Sequence, residues 1–319
     1  MARGLLALGI EPGDRVVLVS ENRPAWLVAD LAIMATGAIT VPAYITNTSD
    51  DHLHILNDSG AKGVIVSTRK LAETVLSAAL KAPELEFVIA MDPPDIAQEL
   101  RIQVLPLDDV IDRGREGHQN IVELAEKVGP GDTACIIYTS GTGGLPKGVM
   151  LSHRNILSNC ASARDRLEEL GLSNEVFLSF LPLSHSYEHM AGQFFPISIA
   201  AEIYYAEGAE TLGANMAESR PTLMTAVPRL YETLHQRITL GVRKAGGLKE
   251  TMFNKAVELG SRRHLGTSNL GVTDQILDKV LDVLVRNKVR GRFGGRLKAL
   301  ISGGAPLNPD IGLFFTALG

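Results

Sequence analysis

The run Tyr138-Thr139-Ser140-Gly141-Thr142-Gly143-Gly144-Leu145-Pro146-Lys147-Gly148-Val149 is the densest chemical signal in the 319-residue chain, and its setting decides the fold. Before it stands an apolar, β-prone segment, residues 133–138, and a helical pattern begins just after it, at Ser152-His153-Arg154-Asn155. Strand, loop and helix are the expected order. The loop combines hydroxyls with glycines whose backbone N–H groups can wrap phosphate oxygens, while Lys147 brings a mobile point charge. That is the chemistry of a phosphate cradle. Pro146 before Lys147 and Gly148 after it break the pattern GxxxxGK[ST], and Pro146 takes the third glycine's place in GxGxxG. A Gly/Ser/Thr run is otherwise an ordinary flexible connection; the order of these residues and the Pro-Lys-Gly that follows favour phosphate.

Working outward, strands and helices alternate. After the Gly13-Asp14 turn come a strand at 15–20, a helix from Pro24 to about residue 36 and a strand at 38–44. A helix near 50–57, a strand at 63–67, a helix at 69–80 and a strand at 85–91 continue the pattern. Such repetition predicts an α/β protein with doubly wound, mostly parallel sheets flanked by helices. Residues 92–130 hold Pro93-Pro94, Pro106, a polar stretch and Gly129-Pro130-Gly131. They mark the expected boundary between a first α/β subdomain, 1–130, and a second, 131–319.

Beyond the glycine-rich run, helices are expected at 154–170, 187–197, 211–219 and 228–237, and strands at 176–181, 201–205 and 222–227. Residues 246–290 read as mostly helical, 297–301 as a strand, and Pro309 opens a last helix. Residues 2–8 resemble the closing turns of a helix ended by Gly9, with no cap upstream, so the chain is expected to begin inside an element.

Composition narrows the function. Hydrophobic residues make up 45% and charged residues 21%, an ordinary globular balance, and a net charge of -5 argues against a general nucleic-acid binder. Cys135 and Cys160 have no CxxC spacing, so neither a metal knuckle nor a disulfide framework is indicated, and a reducing, cytoplasmic compartment fits. The apolar run 5–10 is too short for an export signal. Residues 25–45 carry only Asp30 as a charge, but Gly37 and Pro42 interrupt them, and a buried helix followed by a buried strand is the reading adopted.

Two further stretches carry candidate chemistry. Within residues 179–189, His185, Glu188 and His189 satisfy HxxEH, the inverted zinc-protease pattern, with Glu188 as base. Against that, Pro182 and Ser184 place His185 at the beginning of a helix, where one or both histidines would simply cap or satisfy the helix end. Arg286, Lys288, Arg290, Arg292, Arg296 and Lys298 fall within thirteen residues. They suit either a solvated helix end or contact with anionic lipid or with coenzyme A phosphates, hence peripheral contact with the inner face of a membrane.

Taken together, the blocks resemble those of the AMP-forming acyl-CoA synthetase and adenylation superfamily. The glycine-rich run is similar to its TSGTTGxPKG loop, with Gly143 where a threonine is usual. LPLSH, residues 181–185, resembles a motif lining the acyl and adenylate pocket, and Ser302-Gly303-Gly304-Ala305-Pro306-Leu307 resembles its SGGAPL loop. The nearest likeness is a bacterial long-chain fatty-acid CoA ligase, which implies ATP, Mg²⁺ and coenzyme A as cofactors, a fatty acid as substrate, and the large N-terminal domain of the adenylate-forming fold.

By that resemblance Thr139 helps hold Mg²⁺, and Ser140, Gly141, Thr142, Gly143 and Gly144 with Lys147 bind phosphates. His185, Gly303, Gly304, Ala305 and Pro306 shape the acyl and adenine sites, and Lys147 and His185 are the catalytic candidates. The downstream glutamate block and the C-terminal lid domain of the family have no counterpart here, so the chain is expected to be a fragment that does not complete the reaction alone. A zinc metallohydrolase built on His185, Glu188 and His189, and a non-catalytic nucleotide-binding domain, are the alternatives. Nothing in the sequence fixes an oligomeric state or the acyl chain length.

Overall fold

The computed structural model describes residues 1–95, 101–140, 144–266 and 271–319. They form two compact units, Met1–Arg166 with Pro182–Phe195, and Leu167–Leu181 with Pro196–Gly319. The first unit contains β1 (Arg15–Val19), β2 (Ile39–Ala43), β3 (Ala61–Val66), β4 (Phe87–Ala90), β5 (Gln103–Pro106), β6 (Thr133–Thr139) and β7 (Lys147–Ser152). Their order across the sheet is β5-β4-β3-β1-β2-β6-β7, parallel throughout except for β7, which runs antiparallel to β6.

The long apolar runs of β1, β3 and β4 follow from burial on both faces by helices, and nearly every residue of these strands is buried. Parallel pairing needs a crossover, and the Pro24–Ala35, Ser49–Ser59 and Arg69–Ala79 helices supply it. The expected break at 130/131 lies inside this unit, because β6 pairs with β2 and extends the same sheet. Residues 92–130, expected to be a boundary, also hold β5 and the Leu107–Glu116 helix. Pro106 concealed that strand; it closes an edge strand, where a missing N–H is tolerated.

The second unit holds β8 (Val176–Ser179), β9 (Glu202–Tyr205), β10 (Leu223–Ala226) and β11 (Ala299–Ser302), all parallel in the order β11-β10-β8-β9. The helix opened by Pro228 runs to Ala245, past the expected end at 237, and the Gly247–Leu265 helix follows. Next, Val272–Leu281 continues through a π turn, Asp282–Arg286, into Asn287–Arg292.

Arg286 is fully buried in this layer. Its guanidinium donates to the carbonyls of Ala256 (2.5 Å), Asp278 (3.2 Å) and Ala317 (2.8 Å) and to the Asp278 carboxylate (2.6 Å). One side chain therefore ties together the Gly247–Leu265 helix, the Val272–Leu281 helix and the last helix, Pro309–Ala317. A charge so placed is tolerable only because its donors are spent on acceptors. A Cβ at Gly260 would overlap the carbonyl of Ala317, so these helices also touch backbone to backbone.

A second ion pair closes the sheet edge. Buried Glu175 accepts from Lys298 Nζ at 2.5 Å and from the Ser173 N–H at 2.8 Å. Burial alone would raise its carboxyl, but hydrogen bonds from Lys298, Thr222 and Ser173 outweigh that and hold its pKa below the ordinary 4.5. Asp282 is also lowered, chiefly by the hydrogen bond from Arg290. A carboxylate whose pKa is depressed by folding contributes stability above its unfolded pKa and loses it as pH falls through the folded one. Urea stability should therefore begin to fall below about pH 6.5, where burial keeps His52 and His153 unprotonated in the fold while the unfolded chain takes up protons, and fall further below pH 4.5 as Glu175 and Asp282 titrate. Lys298→Met should flatten part of that decline; an unchanged acid limb in the variant would show that the Glu175 pair does not contribute to it.

Candidate active site

Residues 140–146 connect β6 to β7, and the last cross-strand pair is Thr139 opposite Lys147. The expected strand, loop and helix is thus a strand, loop and strand, with the helix starting only at His153. Lys147 stands on β7, not on a free loop. The reason lies in Gly148: a Cβ there would come within 2.7 Å of Ile136 and 3.1 Å of the Tyr138 ring, so its bare backbone lets β7 lie close against β6. Lys-Gly-Val reads as loop from composition, but Val149, Met150 and Leu151 pair in register with Ile137, Ile136 and Cys135. The helix after β7 begins with reciprocal bonds between Ser152 and Asn155, as in a capping box.

Gly141, Thr142 and Gly143 lie outside the described residues. Of the remaining loop positions, Thr139, Ser140, Gly144 and Lys147 are exposed, and Gly144 has φ +120°, a conformation glycine adopts freely. The loop is anchored from beneath by the Ser49–Ser59 helix. His54 Nε2 meets the Pro146 carbonyl at 2.8 Å, and since a carbonyl only accepts, this nitrogen donates. Its ring stands edge-on to Tyr138, centroids 5.9 Å apart, and the Tyr138 hydroxyl donates to Asp58 at 2.7 Å. Burial, and then the Asp58 carboxylate, push the Tyr138 phenol up, so it stays a neutral donor.

LPLSH follows β8. The Leu183 N–H donates to Asn22 Oδ1 at 3.0 Å, and exposed His185 is the N-cap of a short helix, its Nδ1 accepting from the Tyr187 N–H at 3.1 Å. The unprotonated Nδ1 leaves Nε2–H as the donor of the neutral ring. A π turn, His189–Phe194, interrupts the helix expected over 187–197. His189 is buried, with Nε2 on Asp30 Oδ2 at 2.8 Å, Trp26 edge-on at 5.2 Å and Phe194 at 4.7 Å. This overturns the zinc reading: the two imidazoles are committed to a backbone N–H and to a buried carboxylate. Among the described residues no group of three His, Cys, Asp or Glu is placed to hold a metal.

In the second unit, the Ser302–Leu307 run leaves β11, with the Gly303 N–H donating to the Ala226 carbonyl at 3.1 Å. Gly304 has φ +81°, while Gly304, Ala305 and Pro306 are exposed, and Asn308 caps the last helix through the Asp310 N–H at 2.8 Å. An apolar cavity of about 370 Å³ in the same unit is walled by Tyr231, Phe293, Leu300 and Phe315 among others; none of its lining residues belongs to this loop.

The basic stretch needs correction. Arg286 is core, Arg290 pairs with Asp282 at 2.6 Å, and Lys298 pairs with Glu175. That leaves Lys288, Arg292 and Arg296 as its exposed cations outside any ion pair among the described residues. Local composition pointed to none of His54, Asp58, Asn22 or Asp30.

Mostly parallel sheets flanked by helices, with a Gly/Ser/Thr-rich connection at the carboxyl end of β6, define an α/β protein of the doubly wound class. More specifically, the chain belongs to the AMP-binding enzyme family, whose description matches residues 1–319. It is 30% identical over 318 residues to the peroxisomal long chain acyl-CoA synthetase 6 of Arabidopsis thaliana, covering 98% of this chain and 43% of that one. It is also 30% identical over 325 residues to the long-chain-fatty-acid–CoA ligase FadD15 of Mycobacterium tuberculosis, covering 100% of this chain and 52% of the relative. The crystal structure of a long-chain-fatty-acid-CoA ligase, FadD1, from Archaeoglobus fulgidus matches the fold with TM-score 0.67 at 24% identity, over 99% of this chain and 51% of that one. The chain thus spans about half the length of the relatives it matches.

If the hairpin is set by the Tyr138 ring lying over a side-chain-free strand, Gly148→Ala should destabilise the chain by about 1–3 kcal/mol in urea. Tyr138→Phe, which removes the hydroxyl's bonds to Asp58 and Ser59 and leaves the ring, should cost about 1 kcal/mol. A Gly148→Ala loss no larger than that of Tyr138→Phe would mean that the ring gives way freely.

Proposed function

We propose that this chain forms the nucleotide-binding part of a long-chain fatty-acid CoA ligase. A fatty carboxylate oxygen attacks the α-phosphorus of ATP and the bond to pyrophosphate breaks; the sulfur of coenzyme A then bonds to the acyl carbon as the carbon–oxygen bond to AMP breaks, the thiol proton leaving to solvent. The observation that carries the reading is the Thr139–Lys147 pair closing a Gly/Ser/Thr loop whose base is bolted to a helix through His54 and Tyr138. The first step moves charge from the carboxylate through phosphate oxygens to the departing pyrophosphate, so hydrogen-bond donors with one cation help more there than an acid or base.

In this reading Ser140, Gly141, Thr142, Gly143 and Gly144 turn backbone and hydroxyl donors on the β- and γ-phosphates, and Lys147 neutralises the leaving pyrophosphate. His185 offers Nε2–H to the reacting carboxylate, and Gly303 to Pro306 let adenine and acyl group approach bare backbone. Mg²⁺ fits as an ion carried by the phosphates: Thr139 has an exposed hydroxyl to offer it, and the described residues hold no acidic cluster for a protein-borne site. When bound, it would neutralise phosphate charge.

Residence in the cytoplasm with peripheral membrane contact is the location we favour. Among the described residues no helix is long and apolar enough to cross a membrane. Lys288, Arg292 and Arg296, on or just beyond the helical run that also exposes Val272, Ile276, Val280 and Val283, suit an anionic lipid surface.

ATP/pyrophosphate exchange, on the chain extended to the full length of its relatives, tests the reading. Palmitate should support exchange while a short aryl acid and an amino acid do not, and Lys147→Ala should slow it by about 10²-fold. ATP binding with no acid-dependent exchange would favour a non-catalytic nucleotide-binding domain instead.

A further inference from the structure

The segment carrying His185 is held on both sides by one other element. Asn22, just ahead of the Pro24–Ala35 helix, accepts from the Leu183 N–H at 3.0 Å, two residues before His185. Asp30, in the middle of that helix, accepts on a single oxygen from His189 Nε2 at 2.8 Å and from Gln193 Nε2 at 2.7 Å, four and eight residues after it. We propose that Asn22 and Asp30 are positioning residues for His185, a role that rests on the reading of His185 as the donor to the reacting carboxylate.

Three features go beyond ordinary packing. Asp30 is fully buried, and a carboxylate there needs donors to exist at all, so the bonds from His189 and Gln193 are not interchangeable with solvent. The turn that supplies them is a π turn, a form in which helices pay stability for a local geometry. It is also wedged: Trp26 packs edge-on and Phe194 at a tilt against His189, and buried Glu188 fills the space a side chain at Gly192 would need.

Between these fixed points His185 has its own constraint, the Tyr187 N–H on Nδ1, which selects the tautomer that donates from Nε2. The clamp therefore fixes both the place and the protonated nitrogen of a side chain that is itself exposed. The phosphate hairpin is anchored by different residues, His54, Tyr138 and Asp58, so loosening the clamp should leave nucleotide binding alone.

The test is a double-mutant cycle in the full-length enzyme, read by palmitate-dependent ATP/pyrophosphate exchange. Asp30→Asn and Asn22→Ala should each lower kcat, Asp30→Asn by about 10²-fold if His185 shifts by about 1 Å, with KM for ATP unchanged. In a His185→Ala background each should cost less than about twofold, because the side chain they place is gone. Equal losses in both backgrounds, or a parallel rise in KM for ATP, would overturn the positioning role in favour of a general structural one. An unchanged rate in His185→Ala would overturn the assignment of His185, and the clamp's purpose with it.

Asn22 is half-buried, so its variant is the one to rely on should Asp30→Asn fail to fold. A readout independent of activity is the imidazole ¹⁵N spectrum of the 319-residue chain: His185 should show a bare Nδ1 in the parent and tautomer averaging in Asp30→Asn. Identical spectra would also overturn the proposal.

Discussion

Every segment assigned chemistry in this chain begins where a parallel strand runs out. The glycine-rich run follows β6, LPLSH follows β8, and the Ser302–Leu307 run follows β11. Parallel pairing leaves all carboxyl ends of a sheet at one rim, facing the helices that start there, and it is at this rim that backbone donors are unspent. Behind the loops β8 is buried throughout and β6 largely so, while β11 is half-buried.

The stiffness of the candidate site comes from beneath. Lys147 and His185 are exposed, while the groups that hold their segments, Tyr138, Asp30 and His189, are buried. Two buried titratable groups of the first unit, His52 and Cys135, are poorly suited to reaction. Burial lowers the pKa of His52 to about 4 and pushes the Cys135 thiol up to about 12, so one remains neutral and the other is a poor nucleophile. Reactive groups lie outside and their supports inside, an arrangement that tolerates water at the former without softening the latter.

The alternation of strands and helices was legible because doubly covered parallel strands are continuous apolar runs. β5 and β7 were not: one ends in Pro106, the other starts Lys147-Gly148, and both carry the residues of turns. The three motifs were readable as short local patterns. Their supports were not, since His54 reaches Pro146 across 92 positions and His189 reaches Asp30 across 159. The HxxEH spacing was present, yet spacing says nothing of a carboxylate delivered from another helix. Arg286 misled in the same manner: among five other cations it read as surface, and only the fold supplies the three carbonyls that bury it.

Those three carbonyls also set an order of events during synthesis. Ala256 and Asp278 precede Arg286 in the chain, but Ala317 lies 31 residues beyond it. Until Ala317 is in place the guanidinium has one acceptor fewer, and burying an unpaired donor costs about 1–3 kcal/mol, so closing the Gly247–Leu265 and Val272–Leu281 helices over it is less favourable. Emergence of Ala317 removes that cost. The hydrogen bonds that bury Arg286 in the second unit thus include one to the Pro309–Ala317 helix, whereas every strand of the first unit's sheet is translated by Ser152.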